Sequence, residues 1–343
     1  MLKVAEQLGA KDVKLNSVSV IGGGAWGTAL AQALAFSGQR VTLWAREPDV
    51  VDDINTRHVN RAFLPGVDLD AKITATGKLS DAAAADAVLM VSPAQFVRAT
   101  VQALARDLKP DTPIVMCSKG IEQSSGKLMS DLIGEALPVA QLAVLSGPSF
   151  AADVARGLPA ALTLACANET TGRGLAEALS SRQMRLYWSS DVIGAELGGA
   201  LKNVMAIAAG IVDGRGLGAS AHAAVVTRGF AEMRRLGEAM GARPETLLGL
   251  SGLGDLILTC GSPQSRNMSL GRGLGEGKSL ASILKSRTAV TEGVYTAAAV
   301  IDLARKKHIE MPIAEAVHAI IEGRISVDDA ITALMLRPLK AED

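Results

Sequence analysis

The sequence places two lysines where an ammonium group could exchange a proton with a ligand. Lys202 lies in GGALKNVMA, a run that is small and apolar apart from Lys202 and Asn203. A charge there is costly unless it is paired or its pKa falls, and a lysine with a lowered pKa is a good general acid or base. Lys119, in CSKGIE, follows a predicted strand, and open α/β sheets bind ligands beyond the carboxyl ends of strands. The alternatives are a lysine that snorkels to the surface at 202 and an ordinary surface lysine at 119.

An acid and a polar triplet further along the chain could also contribute to such chemistry. Asp255, in GLGDLILTC, stands among leucine, isoleucine and glycine, an unusual setting for a solvated acid, and it could orient or tune Lys202. Ser265, Arg266 and Asn267 offer a hydroxyl, a guanidinium and an amide in consecutive positions. That chemistry suits a cluster of phosphate oxygens. The alternative is a loop in which serine and asparagine cap a helix.

The stretch VIGGGAWGTAL, Val20–Leu30, runs from an apolar strand through three glycines into a helix former. Within it, Gly22, Gly24 and Gly27 match the spacing GxGxxG. The first permits a tight turn, the second leaves room for a pyrophosphate, and the third lets the helix pack on the strand. The helix N–H groups then face the anion. This context predicts a dinucleotide-binding turn, and a glycine-rich turn without a ligand is the alternative.

The end of the second predicted strand bears on which dinucleotide binds. In an NAD site this strand usually ends in an acid that bonds the adenosine ribose hydroxyls. Here the positions are Trp44, Ala45 and Arg46, and Arg46 suits a 2′-phosphate. The sequence therefore favours NADP(H), with NAD(H) as a further cofactor. In the alternative, Arg46 is a solvated cation and Glu47 or Asp49 bonds the ribose.

Two further segments place polar groups at the ends of predicted elements. SGPSFA, residues 146–151, follows a strand and leads into a helix, where Ser149 either caps the helix or meets a ligand. Glu292, in TEGVYTA, precedes a predicted helix and could be no more than an acid favoured by the helix dipole. The four histidines show no metal-ligand spacing, so we expect no metal site. No GxSxG pattern, which would indicate a nucleophilic serine, is present.

Short apolar segments alternate with helical patterns in the first half, which indicates a sheet wound on both faces. The predicted strands are Val18–Ile21, Val41–Trp44, Lys72–Ala75, Ala87–Val91, Ile114–Ser118, Leu142–Ser146 and Ala161–Ala165. The predicted helices between them are Gly27–Ser37, Pro48–Arg57, Gln95–Asp107 and Leu128–Ala136. We expect a tail at 1–16 and a Rossmann-type, doubly wound, mostly parallel α/β domain at 17–190.

After about Ser190 the strand signals nearly vanish, which predicts an all-α domain at 191–343 with a boundary near 188–192. Its predicted helices are Val192–Val212, Ala221–Met240, Pro244–Leu248, Ser279–Lys285, Gly293–Lys306, Ile313–Ile321 and Val327–Leu336. Cys260–Lys278, rich in glycine, serine and basic residues, is predicted to be a loop.

The bulk composition limits the class of protein. The 343 residues exceed one simple core, and 48% of them are hydrophobic. Lysine plus arginine equals aspartate plus glutamate at 35 each, so no global field favours nucleic acid or an anionic membrane. Cys117, Cys166 and Cys260 are scattered, which fits a reducing cytoplasm. No stretch reaches the roughly 18 uninterrupted apolar residues of a membrane span.

Taken in order, the segments GGGAWGTALA, CSKGIE, SGPSFA, GGALKNVMAIAAG, GLGDLILTC and SRN resemble the bacterial NAD(P)-dependent glycerol-3-phosphate dehydrogenase family. The resemblance runs from about residue 17 to about residue 335. It implies a 6-phosphogluconate-dehydrogenase-like fold and reversible hydride transfer between sn-glycerol 3-phosphate and dihydroxyacetone phosphate. It further implies a role in phospholipid synthesis and a homodimer.

The resemblance also implies roles for individual residues. Lys202 matches the family's proton donor and acceptor, Lys119 matches a lysine shared by substrate and cofactor, and Asp255 completes the catalytic group. Substrate contacts are implied at Lys119, Gly147, Ser149, Lys202, Asp255, Ser265, Arg266 and Asn267. Cofactor contacts are implied at Gly22, Gly24, Ala25, Trp26, Gly27, Arg46, Lys119, Ala151, Arg266, Val290 and Glu292. At Ala25 the family often has serine, so one hydroxyl contact is absent from this sequence.

Two other functions remain open on the residues alone. A 2- or 3-hydroxy-acid dehydrogenase shares this domain plan and a helix lysine, but it needs a group for a carboxylate, and the SRN and GLGD segments speak against it. A non-catalytic NAD(P)H sensor would bind the cofactor tightly without hydride transfer. The buried setting predicted for Lys202 argues for catalysis.

Overall fold

The computed structural model describes residues 15–287, 290–339 and 341. The first half of the chain forms a mostly parallel sheet. The strands are β1 (Ser17–Ile21), β2 (Arg40–Trp44), β3 (Val59–Asn60), β4 (Leu64–Asp68), β5 (Ile73–Thr76), β6 (Ala87–Met90), β7 (Ile114–Met116), β8 (Leu142–Ser146), β9 (Ala160–Ala165) and β10 (Met184–Ser189). Most of the predicted tail lies outside the described residues.

The order of strands creates a ligand-binding edge at β1. Eight strands follow the order β5-β2-β1-β6-β7-β8-β9-β10, and β3 and β4 form a separate two-stranded ribbon. All neighbours in the large sheet are parallel except β8 and β9. The chain passes from β1 to one side of the sheet and later returns to pair β6 on the other side of β1. The carboxyl end of β1 is therefore a topological switch point, where open sheets bind ligands.

Alternating side chains of the central strands fill two hydrophobic cores. In β6, Leu89 belongs to one core, whereas Val88 and Met90 belong to the other. In β7, Val115 belongs to the first core and Ile114 to the second. Both faces of the sheet are thus covered, and the predicted doubly wound, mostly parallel α/β fold is confirmed.

Helices make up the rest of the regular structure. They are α1 (Ala25–Phe36), α2 (Pro48–Arg57), α3 (Leu79–Ala82), α4 (Val97–Leu104), α5 (Met129–Ala136), α6 (Ala151–Ala155), α7 (Glu169–Leu179), α8 (Val192–Gly214), α9 (Gly218–Ala239), α10 (Pro244–Leu248), α11 (Asp255–Cys260), α12 (Arg266–Gly275), α13 (Leu280–Lys285), α14 (Glu292–Lys306), α15 (Pro312–Ile321) and α16 (Val327–Met335). The described residues after 190 contain helices and turns, as the sequence predicted.

The contacts divide the chain into two units. The first contains the residues up to 118 and 129–195, and the second contains 119–128 and the residues from 196 onward. The sequence placed one boundary near 188–192 and did not anticipate that the short segment after β7 joins the helical unit. The hydrophobic core of the second unit includes Ile121 and Leu128 from that segment.

Helix α8 is the buried centre of the second unit. By length and composition it could cross a membrane, but 89% of its most apolar 18-residue window is buried, as is typical of a core helix. Its backbone touches that of α12 at glycines. A β-carbon on Gly271 would lie 2.0 Å from the Ile207 carbonyl oxygen, and one on Gly210 would lie 2.0 Å from that of Met268. This crossing brings the beginning of α12 against α8.

Several elements differ from the sequence prediction. The predicted loop at Cys260–Lys278 is wrong, because residues 266–275 form α12 and its glycines serve the contact with α8. The strands β3, β4 and β10 and the helices α3, α7 and α11 were not predicted, whereas the helix expected after SGPSFA is α6. The β3–β4 ribbon contains Pro65 and Gly66, which signal a turn, and β10 is an edge strand of mixed polarity directly before α8.

Candidate active site

The glycine turn after β1 has the backbone that the sequence predicted. Gly22 has φ +137°, and a β-carbon there would lie 2.9 Å from the Val91 carbonyl carbon and oxygen. A β-carbon on Gly27 would lie 1.9 Å from the Gly22 carbonyl oxygen. Gly24 differs, because nothing lies within 4 Å of its β-carbon position. The turn is therefore closed on the protein side and open at Gly24.

This turn fits the diphosphate of a dinucleotide. Helix α1 begins beyond Gly24 without a side-chain cap, which leaves N–H groups of its first turn for an anion. Ala25 and Trp26 are the first residues of that helix. The indole N–H of Trp26 is buried and has no hydrogen-bond partner within the described part of the chain, so a polar group of a ligand would satisfy it. The open turn, the uncapped helix and the unpartnered indole N–H therefore fit the diphosphate of a dinucleotide.

The end of β8 forms a second glycine turn in the first unit. Gly147 has φ +143°, and a β-carbon there would lie 3.1 Å from the Leu162 α-carbon. The Ser149 hydroxyl donates to the Gly147 carbonyl oxygen (3.2 Å), and Phe150 is the N-cap residue of α6, which starts at Ala151. The predicted alternative in which Ser149 caps this helix is therefore wrong, since its hydroxyl closes the turn instead.

Two lysines and one carboxylate meet inside the second unit. The Lys119 ammonium donates to Asp255 Oδ2 (2.7 Å), and the Lys202 ammonium donates to Asp255 Oδ1. Asp255 is 0% exposed and Lys202 is 7% exposed. Because a buried carboxylate needs charged or polar partners, the two ammonium groups account for its burial. The group carries one excess positive charge, which favours an anionic ligand or a developing negative charge.

Thr259 is a fourth member of this group, which the sequence analysis missed. Its hydroxyl accepts a hydrogen bond from Lys202 Nζ (2.8 Å) and lies 3.4 Å from Asp255 Oδ1. Thr259 follows Asp255 by four residues in α11, so both side chains project from one helix face. The four-residue spacing from Asp255 was the sequence signal that could have identified Thr259.

A bulged helical turn places Asp255 in the interior. Residues 250–254 form a π-helical turn before α11, a conformation that is frequent at functional sites. Glycines allow it to pack closely. A β-carbon on Gly252 would lie 1.9 Å from the Leu247 carbonyl oxygen, and one on Gly198 of α8 would lie 2.3 Å from that of Ser251. The turn thus lies directly on α8 and aims the carboxylate at Lys202.

The environment of Lys202 changes its proton affinity. Burial lowers the pKa of this ammonium from 10.5 to about 8, the Asp255 carboxylate opposes that fall, and the Lys119 charge adds to it. A group with such a pKa can give up or accept a proton near neutral pH. The neighbouring Cys260 thiol is buried, which raises its pKa to about 12 and keeps it protonated.

The start of α12 gathers the polar triplet of the sequence. Ser265 is its N-cap, accepting from Met268 N (3.2 Å), which matches the capping alternative. Asn267 is buried and bridges two helices, because its Nδ2 donates to Asn203 Oδ1 (2.9 Å) and its Oδ1 accepts from Gly293 N (3.0 Å). Both ends of this amide are therefore engaged within the protein.

Arg266 is the exposed member of the triplet. It is the first residue of α12, and its Nη1 donates to the Val290 carbonyl oxygen (2.8 Å). Glu292 begins α14 two residues further on, at the helix end where the dipole favours an acid. A guanidinium at the N-terminus of a ten-residue helix is a suitable ligand for phosphate.

The predicted site residues thus form groups in both units. The second unit brings Lys119, Lys202 and Asp255 into direct contact and places Arg266 beside Val290. The glycine turn and the residues Arg46, Gly147, Ser149 and Ala151 belong to the first unit. Arg46 is exposed, and its guanidinium pairs with Glu47 Oε1 at 3.0 Å.

Comparison with known proteins covers nearly the whole chain. The family pattern described as the N-terminus of NAD-dependent glycerol-3-phosphate dehydrogenase matches residues 17–172, and the pattern for its C-terminus matches residues 191–332. A glycerol-3-phosphate dehydrogenase [NAD(P)+] of Parvibaculum lavamentivorans is 58% identical over 327 residues, which are 95% of this chain and 98% of that protein.

Solved structures give the same result. The crystal structure of glycerol-3-phosphate dehydrogenase from Coxiella burnetii is 37% identical and superimposes with a TM-score of 0.91, covering 95% of this chain and 100% of that chain. A D-mandelate dehydrogenase covers 92% of this chain and 99% of its own with a TM-score of 0.64, but at 16% identity it shares the fold alone. On both the sequence and the structural likeness, this chain belongs to the NAD-dependent glycerol-3-phosphate dehydrogenase family.

Proposed function

We propose that the protein reduces dihydroxyacetone phosphate to sn-glycerol 3-phosphate with NAD(P)H, reversibly, and that Lys202 donates and accepts the proton. The observation that carries this assignment is the buried Lys119–Asp255–Lys202 group. An ammonium pair on one carboxylate has no evident structural necessity in a helical core, where apolar side chains are cheaper to bury. In a reductase it supplies a proton and positive charge to a carbonyl oxygen.

The side chains around Lys202 define its part in the reaction. When bound, the nicotinamide ring supplies the hydride for reduction or takes it up in oxidation. Of the three N–H bonds of the Lys202 ammonium, Asp255 and Thr259 accept two, which leaves a third for the carbonyl oxygen of the proposed substrate. As negative charge develops on that oxygen, Lys202 passes a proton to it and becomes a neutral amine, and Lys119 adds positive charge nearby.

Asp255 orients this proton donor rather than taking part in the transfer itself. Its two oxygens are held by two ammonium groups, so the carboxylate fixes the position of each nitrogen. In the oxidation of sn-glycerol 3-phosphate, the neutral amine of Lys202 accepts the hydroxyl proton. A pKa of about 8 lets both forms be populated within a unit or so of neutral pH.

The overall reaction has a direct assay that separates it from its rivals. We expect the absorbance of NADPH to fall when dihydroxyacetone phosphate is added to the protein. A 2-oxo or 3-oxo acid offered at the same concentration should give no comparable rate. Turnover of the acid alone would favour a hydroxy-acid dehydrogenase, and cofactor binding without any turnover would favour a sensor.

Arg266 is proposed to hold the substrate phosphate, and its removal should weaken substrate binding. We expect Arg266→Ala to raise the KM for dihydroxyacetone phosphate about tenfold or more with a smaller change in kcat, because charge-assisted hydrogen bonds are lost. Steady-state rates at saturating NADPH measure this effect. Arg272→Ala is the matched control, since Arg272 lies on the same helix and pairs with Glu276 at the surface. Unchanged kinetics in Arg266→Ala would exclude a phosphate contact.

Arg46 is proposed to make NADP(H) the favoured cofactor. The salt bridge between Arg46 and Glu47 is exposed and contributes little to stability. The Arg46 guanidinium can therefore leave Glu47 and bind a 2′-phosphate. We expect Arg46→Ala to raise the KM for NADPH about tenfold and to leave that for NADH nearly unchanged. Arg40→Ala, at the exposed opposite end of β2, is the control. An unchanged KM for both cofactors would instead support the alternative in which Arg46 is a solvated cation and Glu47 or Asp49 bonds the ribose.

The setting of the reaction follows from the same assignment. We propose that the product, sn-glycerol 3-phosphate, feeds glycerophospholipid synthesis and that the enzyme works in the cytoplasm as a homodimer on a small-molecule substrate. The balanced charge of the chain gives no attraction for nucleic acid or a membrane surface. Light scattering at several protein concentrations tests the dimer.

A further inference from the structure

The β3–β4 ribbon carries a buried amide that reaches the glycine turn. Asn60, the last residue of β3, is 1% exposed. Its Nδ2 donates to the Gly23 carbonyl oxygen (2.8 Å) and to the Thr28 hydroxyl oxygen (2.8 Å), and its Oδ1 accepts from Phe63 N (3.1 Å). The Thr28 hydroxyl in turn donates to the same Gly23 carbonyl (3.4 Å). The two N–H bonds of this amide thus donate to the glycine turn and to α1.

The carbonyl that Asn60 holds determines where the next N–H group points. In a planar trans peptide, the C=O and N–H of one unit point in opposite directions. Because the Gly23 carbonyl is bound inward by Asn60, the Gly24 N–H is directed away from the ribbon. Gly24 is exposed, and a β-carbon on it would find nothing within 4 Å. Asn60 therefore fixes the orientation of a backbone donor on the open side of the turn.

The ribbon itself is held at two places, so Asn60 is anchored firmly enough to act in this way. Asp53 of α2 accepts two hydrogen bonds from Arg61, the residue after Asn60, and these join the ribbon to α2. Within α2, Arg57 also pairs with Asp53 (2.5 Å). Gln32 of α1 donates to the Asp68 carbonyl (3.3 Å) and accepts from Asp70 N (2.9 Å). These bonds connect the ribbon to α2 at one end and to α1 at the other.

We propose that Asn60 is a positioning residue for the dinucleotide, which it serves by fixing the Gly23–Gly24 peptide for contact with the diphosphate. This inference rests on the proposed use of the glycine turn by NAD(P)H. A three-glycine segment has wide conformational freedom, and a turn that must be ordered by the ligand binds it more weakly. Asn60 orders the segment before the ligand arrives.

The substitution Asn60→Asp tests this role because it keeps the shape and the acceptor for Phe63 N. It replaces the donor with a carboxylate oxygen that faces the Gly23 carbonyl. We expect the dissociation constants of both NADPH and NADH, measured by calorimetric titration, to rise about tenfold or more. The KM for dihydroxyacetone phosphate and kcat at saturating cofactor should change by less than twofold. An equal effect on both cofactors distinguishes Asn60 from Arg46.

Asn55→Asp is the matched control. Asn55 joins α2 to β5 by the same pattern, with Nδ2 donating to the Ala75 carbonyl (2.9 Å) and Oδ1 accepting from Ala75 N (2.7 Å). A purely structural role for Asn60 predicts a loss of thermal stability, larger than in the variant of the exposed Asn55, and no selective change in cofactor affinity. A dissociation constant for NADPH in folded Asn60→Asp within twofold of the Asn55→Asp value would overturn the inference.

A second variant keeps the test decisive if Asn60→Asp does not fold. Thr28→Val removes the hydroxyl that accepts from Asn60 and donates to the Gly23 carbonyl, while the direct bond from Asn60 to that carbonyl remains. We therefore expect a smaller, twofold to fivefold rise in the NADPH dissociation constant. No change in that variant would also overturn the inference. Because binding is titrated without substrate, loss of dihydroxyacetone phosphate turnover in the wild-type protein would contradict the proposed function and leave the positioning role standing. Failure of the wild type to bind NADPH would overturn both.

Discussion

Replacing Lys202 with alanine is expected to lower kcat by about two orders of magnitude or more while leaving the dissociation constant of NADPH nearly unchanged. The side chain lost is the proposed proton donor for reduction and acceptor for oxidation, and it belongs to the second unit, whereas the glycine turn belongs to the first. Steady-state rates with dihydroxyacetone phosphate and calorimetric titration with NADPH measure the two quantities. Lys307→Ala, at the exposed end of α14, is the control.

The pH dependence of the wild-type rate belongs to the same prediction. Lys202 must be an ammonium to reduce the ketone, so kcat for reduction should fall as pH rises through about 8. It must be an amine to oxidise the alcohol, so kcat in that direction should rise over the same range. Both limbs should disappear in Lys202→Ala. Near wild-type turnover in this variant would remove Lys202 from the mechanism.

Replacing Asp255 with asparagine should cost the most stability of the substitutions considered. It leaves the Lys202 charge buried without its counter-ion, and loss of one partner of a buried pair typically costs about 3–5 kcal/mol. Urea denaturation measures the change. Asp302→Asn, which removes an exposed carboxylate on α14, should change stability by less than about 0.5 kcal/mol. A loss below about 1 kcal/mol in Asp255→Asn would mean that the two lysines find other partners.

Asp255→Asn also distinguishes two effects of Asp255 on Lys202: the orientation of the ammonium and the electrostatic shift of its pKa. The Asp255 carboxylate raises the pKa of Lys202 against the effect of burial, so its removal should bring that pKa below about 8. The falling limb of the reduction rate should then move to lower pH. Asparagine still offers one acceptor oxygen to an ammonium, so Lys202 can keep its orientation without the charge of Asp255. If the rate in this variant falls at the same pH as in the wild type, the Asp255 charge does not set the pKa of Lys202.

The sequence predicted the parts of the site that depend on local pattern. The spacing of Gly22, Gly24 and Gly27 between an apolar strand and a helix is a local pattern, so the turn can be recognised without knowing its distant partners. Lys202 in an apolar run predicted burial, and the unusual setting of Asp255 predicted a charged neighbour. The structure has these two side chains in contact.

The features that sequence reasoning missed depend on partners far along the chain. The glycines of residues 266–275 favoured a loop, since nothing local reveals that Gly271 packs on the backbone of α8. Asn60 stands in a ribbon interrupted by Pro65 and Gly66, and only the fold brings it to Gly23. Nor does the order of residues show that Lys119 joins the helical unit, because it follows a strand of the sheet.

That placement of Lys119 matters for anyone who wishes to express the helical unit alone or to exchange it between enzymes. A gene fragment that starts at codon 191 would omit the decapeptide 119–128, and with it one of the two ammonium groups on Asp255. It would also omit Ile121 and Leu128, opening a gap in the hydrophobic core. A chimera should therefore take this decapeptide and the helical unit from the same parent.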